Sequence, residues 1–154
     1  MKPVLTIQEG LELLRQYCNF QERCHQDVRS KGLKLGFRGD DLEELISAMI
    51  TEGLLDEERY ARSLARGKFR NNQWGRIKIV QALKMHNIPE YCIRKAFTEI
   101  DETEYRETLL KLAELKNRSL PGGLTDYEKK HKVISYLMQK GYEFDVIVLA
   151  LGEE

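Results

Sequence analysis

The sequence predicts an all-α fold, three tandem three-helix repeats forming an elongated, curved helical array. Apolar residues recur at helical spacing in nine segments, and the one stretch rich in β-branched residues, Phe144 to Leu151, has no partner strand elsewhere. A composition of 42% hydrophobic and 32% charged residues, with 3 Pro and 11 Gly in 154 positions, suits a helix-rich folded chain and is too apolar for disorder. Lys31-Gly32-Leu33, His86-Asn87-Ile88 and Lys140-Gly141-Tyr142 each close a middle helix and fall 55 and 54 residues apart. The helices therefore sort into units 1–53, 54–100 and 101–154. Units this small bury little alone, so they should stack.

Thr6 and Glu9 form a T-x-x-E capping box before Ile7, Leu11, Leu14 and Cys18. A second helix is expected from Gln21 to Lys31, stopping at Gly32, with Leu33 to Gly39 as a loop. Asp40 or Asp41 should cap a third helix, whose Leu42, Leu45, Ile46, Met49 and Ile50 form one stripe and which Gly53 ends. Asp56 caps the fourth, with Glu57 and Glu58 in its first turn and Tyr60, Ala61, Leu64 and Ala65 inside. Asn71, Asn72 and Gln73 break the pattern before a helix carrying Ile77, Val80 and Leu83. Pro89 suits the first turn of the next, which buries Ile93, Ala96, Phe97 and Ile100. Glu102 to Asn117 places Tyr105, Leu109, Leu112 and Ala113 inside, and Ser119 to Gly123 is the clearest break. Thr125 and Glu128 repeat the capping box for a helix with Ile134, Leu137 and Met138. Phe144, Ile147, Val148 and Leu151 then fit a last short helix.

A neutral total hides a strong asymmetry. From Arg59 to Pro89 there is no acid and the net charge is +8, against −5 before it and −3 after it. Arg59, Arg62, Arg66 and Arg70 share one side of the fourth helix, followed by Lys68, Arg76 and Lys78, close to Tyr60, Phe69 and Trp74. Without interleaved carboxylates, these cations lack local partners, and their heads should reach solvent. Such a mix suits phosphates, bases or an acidic protein surface. Trp74 fits core and surface equally well.

Other chemistry has little support. Three cysteines without a CxxC pair suit reduced thiols. Cys24-His25 and His86 with His131 offer no ligand or nucleophile–base set of suitable spacing, so neither metal nor cofactor is expected and the chain reads as no enzyme. There is no GxxxxGK[ST] or GxGxxG loop. The N-terminus does not read as a signal peptide, and the longest apolar run, Val146 to Leu151, is far too short to span a membrane.

Gly53-Leu54-Leu55-Asp56-Glu57-Glu58-Arg59-Tyr60-Ala61 resembles the RecX regulatory family. The resemblance continues through Gly75-Arg76-Ile77, Ala82-Leu83, Ile88, Ile93 to Phe97, and the closing Lys140-Gly141-Tyr142 with Phe144-Asp145-Val146-Ile147. The chain departs from the family in its longer Leu33–Gly39 loop, in Tyr60 where Phe is commoner, and in Asn71-Asn72-Gln73-Trp74. The reduced thiols suit a cytoplasmic protein, expected to be a monomer. The resemblance implies three tandem three-helix repeats and a non-enzymatic regulator. It would bind the RecA recombinase, mainly as its filament on single-stranded DNA, and restrain ATP hydrolysis, strand exchange and coprotease activity. Direct contact with the single-stranded DNA stays open. The alternative is a stand-alone nucleic-acid-binding module of helix-turn-helix type, for which Gln73 to Asn87 is the candidate reader.

Overall fold

Thr6 opens the first helix by accepting the Glu9 N–H on its hydroxyl while the Glu9 carboxylate accepts the Thr6 N–H, the reciprocal cap expected there. The computed structural model describes residues 4–152. They hold nine α-helices, one 3-10 turn and no strand. The first unit is α1 (Ile7–Phe20), α2 (His25–Lys34) and α3 (Gly39–Thr51). The second is α4 (Glu57–Asn72), α5 (Arg76–Met85) and α6 (Glu90–Ala96), which a 3-10 turn at Phe97–Glu99 continues. The third is α7 (Glu102–Ser119), α8 (Asp126–Gln139) and α9 (Phe144–Ala150). No helix among the described residues is long and apolar enough to cross a membrane.

Every middle helix ends in the same way. Gly36, Asn87 and Gly141 take left-handed φ values of +101°, +58° and +102°. The next residue, Phe37, Ile88 or Tyr142, donates its N–H to the carbonyl of Gly32, Leu83 or Leu137, at 3.1 Å in all three. Each of those side chains is buried, completing a Schellman closure. The counterpart of Asn87 and Gly141 is thus Gly36, not Gly32 as expected. Gly32 lies inside α2, where its missing side chain makes room for Leu42. The start of α2 also moves, from Gln21 to His25, because Asp27 accepts the Cys24 N–H at 3.2 Å and fixes the first turn there. Arg38, rather than Asp40 or Asp41, stands at the N-cap of α3, and both aspartates occupy its first turn.

Two cores result. Leu14, Val28, Leu45 and Met49 centre the first, built by α1–α3 with Leu55. The second runs unbroken through α4–α9: Phe69 packs on Tyr105 with ring centroids 5.8 Å apart, and Tyr105 on Tyr142 at 5.0 Å. Among the described residues of α1–α3 and their connections, only Cys24 is buried in it. The accessible surface of 9710 Å² exceeds the roughly 8,000 Å² of a compact monomer of 18.0 kDa, as an elongated array requires.

The second and third units meet backbone to backbone. Gly75, the N-cap of α5, has no side chain to cap it. Instead the Gly75 N–H donates to the Lys140 carbonyl (2.8 Å), the Ile77 N–H to the Gly141 carbonyl (2.9 Å) and the Arg76 N–H to the Tyr105 hydroxyl (3.0 Å). The carbonyls at the end of α8 thus satisfy amides at the start of α5. A Cβ on Gly75 would lie 2.3 Å from the Gly141 carbonyl carbon. This docking fixes the rotation of α5: Ile79 and Leu83 turn inward, while Ile77, expected inside, is 45% exposed. In α8 the buried pair is Val133 and Leu137, so Met138 is exposed. Ile50 and Phe144, also expected inside, stand exposed in the last turn of α3 and at the first position of α9.

Candidate partner-binding face

Asp56 caps α4 by accepting the Arg59 N–H at 3.0 Å, and the helix continues through Asn71 and Asn72. Its cations do not stand unpaired as expected, because the fold carries acids to them from outside the basic block. Arg59 Nε donates to Glu22 Oε2 of the first unit at 2.7 Å and Arg59 Nη1 to the Gly53 carbonyl at 3.0 Å. Arg62 joins Glu58 (3.2 Å) to Glu99 (3.1 Å), and Arg66 donates to the other Glu99 oxygen at 2.6 Å. Hydrogen bonds from Arg66, then Arg62, hold the Glu99 carboxyl below its ordinary range. Arg76 pairs with Glu143 at 2.9 Å and with Glu102, and lies 3.9 Å from the Tyr105 ring centroid. Four of the seven expected site residues are thus engaged within the chain.

Lys68, Arg70 and Lys78 make no ion pair among the described residues. Arg70 is exposed at the end of α4. The other two flank Trp74. Gln73 ends α4 in the left-handed region (φ +53°), and the Trp74 N–H donates to the Lys68 carbonyl at 3.1 Å. That turn holds the half-buried indole between the Lys68 and Lys78 ammonium groups, each 4.8 Å from the ring. Lys140 arrives from the end of α8 and donates to the Asn72 carbonyl at 2.8 Å. Burial, then the charge of Lys78, lowers its pKa. Two lysines therefore flank one aromatic ring at the second joint and a third, Lys140, feels the charge of Lys78, with no carboxylate paired to them among the described residues. Such a site favours an anion, a phosphate or carboxylate that would relieve the Lys78–Lys140 repulsion. Sequence reading missed Lys140, because only the fold brings it to Asn72, 68 positions away.

The helix-turn-helix candidate meets an obstacle at the same joint: the α8 terminus covers the first turn of α5, the part that a groove-reading helix must present. Among the histidines, His131 stacks on Tyr127 with ring centroids 6.4 Å apart, and His25 lies 3.7 Å from Glu57. His86 behaves differently. It brings Nδ1 to 3.7 Å from Cys24 Sγ and 3.8 Å from Asp27 Oδ1, a convergence that no local spacing announces.

Two family models match the chain: RecX, second three-helix domain, over residues 56–96, and RecX, third three-helix domain, over residues 102–151. The regulatory protein RecX of Chlorobaculum tepidum is 30% identical over 132 residues, covering 83% of this chain and 79% of that one. The regulatory protein RecX of Lactococcus lactis subsp. lactis is 29% identical over 145 residues, 93% of this chain and 54% of its own length. This chain therefore spans about half the length of the Lactococcus relative. The crystal structure of RecX from Lactobacillus salivarius superposes with a TM-score of 0.86 at 24% identity, covering 95% of this chain and 94% of that one. A second, the crystal structure of regulatory protein RecX, superposes at 0.81 and 22% identity over 96% and 74%. At those identities the superpositions speak for the fold.

Proposed function

This chain belongs to the RecX family, and from that premise we propose that it regulates the RecA recombinase by binding its filament on single-stranded DNA and restraining ATP hydrolysis, strand exchange and coprotease activity. The observation that carries the reading is the pair Lys68 and Lys78 around Trp74, with Lys140 close enough to feel the charge of Lys78, charge that the fold leaves without an acid while tying up most arginines beside it. An elongated array laid along a filament touches more than one subunit at once. Each added contact multiplies avidity, which favours polymer over free recombinase. The role needs no chemistry from this chain and no nucleotide of its own. It is exerted in the cytoplasm by a monomer.

The test is cosedimentation with a RecA–single-stranded DNA filament, read beside inhibition of its ATPase, with naked DNA as control. Lys68→Ala with Lys78→Ala should cost folding little, since neither half-buried lysine holds an ion pair among the described residues. Inhibition should fall steeply, because each lost charge-assisted hydrogen bond weakens binding by about 1.5–3 kcal/mol. If the anion is DNA phosphate, losing two contacts flattens the log–log salt slope by about 1.4. If it is an acidic recombinase surface, binding appears on filament and is nearly absent on naked DNA. A double variant that inhibits as well as the parent refutes the assignment of this face.

A further inference from the structure

The joint between the first and second units brings a sulfur, a nitrogen and an oxygen donor to one point. Cys24 precedes α2 and Asp27 lies in its first turn, while His86 sits at the C-cap of α5, more than 55 residues away. Their facing atoms all lie within 4.8 Å of one another, with Cys24 Sγ to His86 Nδ1 at 3.7 Å and His86 Nδ1 to Asp27 Oδ1 at 3.8 Å. Tetrahedral zinc, with bonds of about 2.3 Å to sulfur and about 2.0–2.1 Å to nitrogen or oxygen, separates its ligand atoms by roughly 3.3–3.6 Å. The two contacts to His86 need close by only a few tenths of an ångström, and the Cys24–Asp27 pair, held within 4.8 Å, by no more than about 1.5 Å.

Their surroundings hold them in place. The Asp27 carboxylate accepts the Cys24 N–H through Oδ2, which leaves Oδ1 toward the histidine. The Tyr60 ring meets the imidazole edge-on, with centroids 5.9 Å apart. Cys24 is fully buried, whereas the side chains of His86 and Asp27 are 36% and 25% exposed, so the cluster opens to water on one side.

We infer that Cys24, Asp27 and His86 form a three-ligand site for a divalent ion of the zinc type, with water in the fourth position, bridging the first unit to the second. Binding breaks the Cys24 S–H bond, forms a metal–sulfur bond and releases the proton to solvent. His86 binds as neutral imidazole through Nδ1 and Asp27 as carboxylate, without change of redox state. The site fastens a joint at which Arg59 also holds Glu22 and Asn87 holds Gln26.

The test uses the full chain, stripped with a chelator, kept reduced, and titrated with cobalt(II) and then zinc(II). One equivalent of cobalt should produce a thiolate charge-transfer band in the near ultraviolet, which one equivalent of zinc abolishes. Zinc should also raise the melting temperature. His86→Asn and Asp27→Asn, at partly exposed positions, should each weaken uptake at least tenfold. Cys24→Ser should lose the band, and Cys18→Ser should keep it. No band in the parent chain, or a band undiminished in His86→Asn or Cys24→Ser, overturns the site. In that case the three groups are only a hydrogen-bonded cluster.

Discussion

Glu99 sits where α4 and the 3-10 turn meet, and it takes up two of the arginines of the basic block. Its pKa is lowered in the fold by Arg66 and Arg62, so the stabilisation is fully present above the unfolded carboxyl pKa and is lost as pH falls through the folded value. Glu99→Gln should therefore cost roughly 0.5–1 kcal/mol at pH 7, the partly exposed pairs being screened, and almost nothing near pH 3. Urea titrations at the two pH values check this, and an equal loss at both would remove the ion pairs as its cause. Those pairs were hidden in the sequence. The stretch from Arg59 to Pro89 contains no acid, so its cations read as unpaired, yet Glu22 and Glu99 lie 37 and 33 positions from Arg59 and Arg66. The residues left over, Lys68 and Lys78 around Trp74, look no different from their neighbours in the sequence.

Helices were legible where their signals are local. The Thr6 and Thr125 capping boxes, the Asp56 cap and the Tyr105, Leu109, Leu112 and Ala113 stripe stand in the structure where their spacing puts them. Periodicity identified helices well and set their rotation less well, because a ten-residue helix tolerates two plausible stripes. For α5 the choice is made by its docking on α8, which turns Ile79 in and Ile77 out. Ile79→Ala should cost about 2–5 kcal/mol through the cavity it leaves, whereas Ile77→Ala should stay within about 0.5 kcal/mol. Denaturant midpoints of the two variants check the rotation, and equal losses would contradict it. The boundary of α2 went astray for a related reason. Glycine inside a helix and glycine closing one are the same letter, and only the φ of +101° at Gly36 tells them apart.

The two joints of the molecule are built from different materials. Between the second and third units, backbone meets backbone at Gly75 and Gly141, and aromatic packing continues from Phe69 through Tyr105 to Tyr142. Gly75→Ala must push this contact apart, so the shared second core should lose more than about 2 kcal/mol while α1–α3 keep theirs. Native-state hydrogen exchange distinguishes the two, and uniform loss of protection along the chain would count against separate cores. A three-unit architecture was readable from recurring closures. The identity of the joints was not, since Gly75 and Gly141 meet only once both units are folded. Between the first and second units, by contrast, Arg59 holds Glu22, Asn87 holds Gln26 and the largely buried Glu57 carboxylate accepts the His25 N–H. In mechanical terms the second joint is braced by a continuous core and by backbone, and the first mainly by side chains. The first joint is electrostatic in part, through Arg59 and Glu22, and salt weakens such a pair over a screening length of about 10 Å at 0.1 M. In the filament-binding role proposed above, ionic strength would then set how firmly the first unit is held, and with it the range of helical pitches over which all three units could contact one filament.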